Sequence, residues 1–216
     1  MKNDYGSGPD KISIPPTLLF SLFGDHPDVR KTATSDFKFA GDRIYLVGSS
    51  KQELGASELA FMLTESGEAA GVGGDVPRLL VPEENLNTYR SLSACIRAGW
   101  VRTAHDCSEG GVAVALAEMC IGGRIGAVVD IDGTGDGDVW GRLWGESLGR
   151  FIVAVSSEHE GAFLDAMRGH PTTVLGHVQT EATLVITDGD DLLIAAEVES
   201  LVDAWKGTLD LTGGVS

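Results

Sequence analysis

Apolar and polar positions fall in blocks along this chain, and the blocks predict intermixed strands and helices. Residues 1 to 16 contain Gly6, Gly8, Pro9, Pro15 and Pro16 with no period, and read as an irregular lead-in. Thr17 to Phe23 is an apolar run stopped by Gly24, which predicts a buried strand. Arg43 to Val47 predicts another, entered through Ala40-Gly41-Asp42 and left at Gly48. Ala56 to Leu63 is helical in composition. Pro82 to Ala98 is the clearest long helix. Pro82 suits a first turn, Glu83 and Glu84 favour the N-terminal dipole, and Gly99 suits the C-terminal cap. Leu86, Tyr89, Leu92, Cys95 and Ile96 recur at helical spacing and give it one apolar face. Trp100 to His105 predicts a strand, and Val112 to Cys120 a mostly apolar, therefore buried, helix. Gly126 to Ile131 and Arg150 to Val155 predict strands, and Glu158 to Arg168 an amphipathic helix. Thr173 to Val178, Leu184 to Thr187 and Leu192 to Ala196 predict three short strands, followed by a helix over Val198 to Trp205.

The last strands lie too close together for helical crossovers. That predicts an α+β fold whose sheet contains antiparallel pairs, not a doubly wound one. Without an internal repeat or a convincing linker, residues 17 to 212 read as a single domain after the lead-in.

Composition narrows the function classes. The chain has 216 residues and 43% hydrophobic residues, enough for a real core. Its net charge of −16 argues against a broad nucleic-acid surface and against anionic membranes. No apolar run is long enough to span a bilayer, and the polar N-terminus reads as no secretory leader. Three cysteines without a CxxC pair read as reduced thiols of a cytoplasmic protein. The 29 glycines, about twice the usual share, predict many tight turns.

The segment richest in candidate chemistry is Ala104-His105-Asp106-Cys107-Ser108-Glu109-Gly110-Gly111. A strand delivers it and an apolar helix follows. Backbone N–H groups at a helix start, with two glycines that admit close approach, suit a phosphate. Asp106 and Glu109 would repel a bare anion, and a Mg²⁺ ion between carboxylate and phosphate resolves the conflict. The competing reading is a helix cap with acidic first-turn residues and a packing glycine. His105 and Cys107 do not make a nucleophile pair, because alternate strand residues point to opposite faces. The three cysteines lack metal-site spacing and read as small buried hydrophobes. Asp130 to Asp138 resembles a calcium loop but has Thr134 at the third ligand position and Gly141 where the bidentate Glu belongs. It reads as a solvated acidic turn. Glu146 and Arg150 either pair across their turn or face a ligand, and His159, His170 and His177 read as surface or loop residues.

Five segments together resemble phosphoribosylformylglycinamidine (FGAM) synthase. Residues 104 to 119, from Ala104 to Met119, look like that family's AHDxSdGGLAVALAEM. Leu143 to Arg150 is similar to LFGESxGR, and Glu53 to Glu58 to xLGGSE. Ile14-Pro15-Pro16-Thr17 resembles the Pro-Thr step opening the family's last domain, and Met1 to Tyr5 the tail of GKDSMKNDY. Two departures are Glu109 for Asp and Val112 for Leu. The resemblance implies a three-layer α/β/α domain with a mixed sheet, like the C-terminal domain of AIR synthase. It implies an enzyme that uses ATP, Mg²⁺ and glutamine-derived ammonia to convert FGAR to FGAM in purine biosynthesis. The chain would be its last C-terminal half, with Asp106, Ser108, Glu109, Gly110 and Gly111 as a phosphate or nucleotide loop and Asp106 on the metal. His105, Glu146 and Arg150 would line or brace the cleft. The partners implied are the missing N-terminal ATP-binding domains, a glutaminase domain or subunit, and FGAR. The fragment alone is expected to be inactive, and to self-associate through apolar surface the ATP-binding half normally covers. Two alternatives stay open: another ATP-using enzyme of the superfamily (AIR synthase, hydrogenase-maturation or selenophosphate type), and a free-standing binding domain without catalysis.

Overall fold

The computed structural model describes residues 4–6, 8–13, 20–67, 73–78 and 82–207. They belong to two compact units, 1–30 and 31–216. In the first, β1 (Asp4–Tyr5) pairs antiparallel with β2 (Ile12–Ser13), with a 3-10 turn at Gly8–Asp10 between them. The described residues of the lead-in thus hold a strand pair that its sequence does not suggest. The strand expected over Thr17 to Phe23 is not seen in its described part. Residues 17–19 lie outside the described residues; Phe20 to Phe23 are irregular, with Leu22 94% and Phe23 100% exposed. An apolar run becomes a strand only against a ladder partner or a packed face, and among the described residues this one pairs with no strand.

The second unit is built on a seven-stranded mixed sheet. Its strands are β3 (Arg43–Val47), β4 (Val101–Asp106), β5 (Gly126–Asp130), β6 (Phe151–Val155), β7 (Thr172–Gln179), β8 (Thr183–Asp188) and β9 (Asp191–Glu197). Their order is β4-β6-β3-β7-β5-β8-β9, antiparallel throughout except for the parallel pair β5–β8. The central strands are apolar on both faces, the pattern of a sheet covered on both sides. Ile44 and Leu46 of β3 and Ile152 and Ala154 of β6 join one core, with α3 (Gly111–Gly123) and α6 (Val198–Gly207). Tyr45, Val47, Val153 and Val155 join the other, with α2 (Pro82–Arg97) and α5 (Glu160–Ala166). The result is the expected three-layer α+β arrangement.

Helix α3 is apolar nearly all round and buries Val112, Ala113, Ala115, Leu116, Met119 and Cys120, as its composition predicts. Helix α1 (Glu58–Glu65) starts two residues later than expected, where the Ser57 hydroxyl accepts from the Ala60 N–H at 3.2 Å. A short helix absent from the sequence reading, α4 (Val139–Trp144), is capped by Asp138, whose carboxylate accepts from Gly141 N–H at 2.9 Å. Among the described residues no helix is long and apolar enough to cross a membrane.

Candidate functional site

Strands β4 and β6 run antiparallel with Asp106 in register with Phe151. The loop leaving β4 and the loop entering β6 are therefore brought to the same end of the sheet. With the turn before α1 they enclose a cleft of about 720 Å³. Asp106, Cys107, Ser108, Glu109, Glu146 and Arg150 line one part of it; Val76, Pro77, Tyr89, Leu148 and Phe151 supply apolar walls. The volume lies within the ordinary range for small-molecule sites.

Glu146 ties the cleft together. Its Oε1 accepts from the backbone N–H of Glu58 at 2.9 Å and of Gly110 at 2.9 Å, at the starts of α1 and α3. A carboxylate beside two helix N-termini is favoured by both dipoles. Its own N–H donates to the Glu53 carbonyl at 3.1 Å. Three segments distant in sequence, 53–58, 104–111 and 143–150, thus converge on one side chain.

This changes the reading of the glycine loop. The amides of Gly110 and Gly111 were expected to be free for a ligand. Gly110 N–H is taken by Glu146, and Gly111 N–H donates to the Ser108 carbonyl at 3.1 Å. Both glycines have positive φ, 74° and 66°. A Cβ on Gly111 would lie 2.6 Å from the Gly145 carbonyl oxygen and 2.7 Å from that of Leu143. Close packing of two backbones is what demands glycine there.

Asp106 ends β4 with its side chain 64% exposed. The Ser108 hydroxyl donates to it and holds its carboxyl below the usual range, so it is ionised at neutral pH. His105 places Nε2 3.1 Å from a Glu118 carboxylate oxygen and Nδ1 2.7 Å from the Asp106 carbonyl, bracing the strand end against α3. Ser108 and Glu109 are exposed at the cleft. Arg150 is almost fully buried. Its Nε donates to the Ser147 carbonyl at 2.9 Å, Nη1 to the Ser50 hydroxyl at 2.8 Å, and Nη2 to the Gly145 carbonyl. Burial pulls its guanidinium below the ordinary value, while neighbouring Cys107, Glu53 and Glu146 push the other way. Glu146 and Arg150 therefore bond to the surrounding loops rather than to each other. Cys107 is buried beside them, and burial pushes its thiol up to about 12.

Ala56 escaped the sequence reading. It lines the cleft with φ 59°, in the left-handed region that disfavours a side chain. The signal was present: the resembled pattern has glycine at this position. Among the described residues, no group of three or more His, Cys, Asp or Glu side chains converges as a metal site. In the calcium-like loop, Asp130 accepts from the Asp132 amide within the loop and from the Gly189 amide in the turn between β8 and β9, at 2.9 Å each. His170 lies between the hydroxyls of Thr88 and Ser91, 3.0 Å from each, and helps pin α2.

Among solved structures, PurL of Thermotoga maritima, a phosphoribosylformylglycinamidine synthase II, shares the fold. Its complex with FGAR matches at 22% identity and TM-score 0.65, covering 80% of this chain and 30% of that one. Its complex with ATP matches at 19% and 0.60, covering 80% and 27%. The hydrogenase maturation protein HypE in complex with ATP matches at 17% and 0.53, covering 78% and 55%. This chain thus spans less than a third of the length of those PurL chains. Residues 40–189 match the family described as AIR synthase related protein, C-terminal domain. With most of the sheet and the whole β4–α3 loop inside that match, the chain belongs to this family.

Proposed function

We propose that this chain is the last C-terminal half of an FGAM synthase, and that the cleft is this half's share of the site handling ATP and FGAR. The observation that carries the reading is the meeting of the three family-like segments at Glu146. Thermotoga PurL is complexed with ATP and with FGAR in the structures that share this fold, which supports both ligands here. Asp106, ionised at the cleft mouth, and Glu109 beside it would hold Mg²⁺, an ion that takes one or two carboxylates together with substrate phosphates. ATP, when bound, supplies the activation of the FGAR amide oxygen that ammonia requires. Ser108 stands on the phosphate side of the cleft in this reading, while Gly110 and Gly111 serve the loop's close backbone packing, with Glu146 and Arg150 fixing the loops and His105 the strand end. The contribution of this half is positioning and charge, not a nucleophile.

The missing ATP-binding domains and a glutaminase complete the enzyme in this reading, which acts in the cytoplasm on a small molecule. Helix α1 buries none of its residues, and Phe61 and Met62 are 60% and 63% exposed. Val76 and Leu148 at the cleft are half exposed as well, and these are apolar side chains that such a half would cover. The test supplies the missing halves and measures FGAM formation from FGAR, ATP and ammonia. Asp106→Asn is expected to lower kcat/KM at least tenfold, ~1.4 kcal/mol of transition-state stabilisation. A change within about threefold, less than ~1 kcal/mol, contradicts the site assignment. ATP-dependent turnover of another substrate without FGAM formation points to a different member of the superfamily.

A further inference from the structure

On the far side of the second unit from β4, helix α4 and strand β9 enclose an apolar groove of about 300 Å³, lined by Val139, Trp140, Leu143, Trp144, Leu193 and Ile194. Trp140 is 51% exposed there. Strand β9 is the last of the sheet, and among the described residues no strand pairs with its outer edge. The opposite edge is treated differently. Thr34 bridges to Thr103 of β4, and its carbonyl accepts from the Ala104 N–H at 3.1 Å. Strand β9 has no proline or lysine to discourage pairing, and its charges, Asp191 and Glu197, stand only at its ends. An open row of backbone donors and acceptors beside an apolar groove is the geometry that accepts an added strand.

Charge decides what that strand is. Asp138 directly precedes Val139, Asp190 lies in the turn into β9, and Asp191 opens that strand. The nearby cation, Arg142, is engaged by Asp132 at 3.5 Å and by Asp188. A second copy pairing antiparallel about Ile194 would set Asp191 against Glu197 at both ends, in a chain of net charge −16. Of the chain's own segments outside the described residues, those of five residues or more, 14–19, 68–72 and 208–216, contain no Lys or Arg. We propose that β9 and the Trp140 groove receive an extended segment of a separate protein. It adds beside β9, with alternate apolar side chains in the groove and Lys or Arg at its flanks meeting Asp138, Asp190 and Asp191.

The probe is a random nine-residue peptide library, displayed on phage and selected on the whole immobilised chain. Enriched peptides are expected to alternate Val, Ile, Leu or Phe with polar residues between basic ends. For the best synthetic peptide, Trp140→Ser and the pair Asp190→Lys with Asp191→Lys should each weaken Kd at least tenfold. Methylating alternate backbone nitrogens of the peptide should abolish binding while leaving the protein untouched. Glu109→Ala, in the separate cleft, should change Kd less than twofold. Selection of no such pattern overturns the proposal, as does binding that survives backbone methylation. Sedimentation showing dimers that Trp140→Ser dissociates also overturns it, in favour of a second copy.

Discussion

Helix α4 touches two regions built on opposite plans. At its C-terminal end, the 104–111 and 143–150 loops are knitted together. Glu146 serves two helix starts, Arg150 is buried among carbonyls, and Gly111 lets two backbones touch. On its outer side, Trp140 and Trp144 face a strand edge that pairs with nothing among the described residues. In the first region polar and backbone groups are satisfied within the protein, so stability and cleft shape depend on each contact. In the second, apolar surface and backbone groups are left over. Substitutions there should affect association while leaving folding nearly unchanged.

The largest test of that contrast is Gly111→Val. With backbone oxygens 2.6 and 2.7 Å from the new Cβ and a positive φ, it should destabilise by about 4 kcal/mol or more in urea denaturation. Trp140→Ser, half exposed on the groove, should cost under about 1 kcal/mol. Equal losses would erase the distinction. Next comes Glu146→Ala, which strips the acceptor from two amides and should cost about 1–3 kcal/mol, with Glu146→Gln recovering most of it. Recovery absent, or no loss with Ala, would mean the bridge contributes nothing.

Legibility in the sequence follows the range of the forces involved. Helix α3 was visible because a continuous apolar stretch bounded by Gly110-Gly111 and Gly122-Gly123 specifies a buried helix locally. The strand-to-helix placement of Asp106 to Gly111 was visible for the same reason. The partners of Glu146 were not, because they lie 36 and 88 residues away and only the sheet order joins them. Helix α4 was hidden by its six-residue length and central Gly141, and its Asp138 cap was read as part of an acidic turn. The exposed run at Phe20 to Phe23 misled because strand propensity says nothing about whether a partner edge exists.

A smaller effect should appear at high pH. Burial raises the Cys107 and Cys120 thiols to about 12, above their value in the unfolded chain. The native state then holds protons that the unfolded chain releases. Stability present below about pH 9 is lost progressively as pH rises toward 12. Tm measured from pH 8 to 11 should fall, and Cys107→Ala should flatten the slope. Ellman's reagent should find no reactive thiol in the native chain and all three in urea. The smallest effect is a gain. Ala56→Gly relieves a left-handed φ of 59°, a strain larger than the entropy glycine adds to the unfolded chain, and should stabilise by about 0.5–1 kcal/mol in urea denaturation.

The central claim is that the knitted loops form the ligand cleft of a larger enzyme. Hydrogen exchange on the protein assembled with its missing halves, with and without ATP, Mg²⁺ and FGAR, tests it most directly. The account predicts ligand-dependent protection concentrated at residues 55–58, 106–111 and 146–151, and none at 191–197. Full turnover with those three segments unprotected would contradict it.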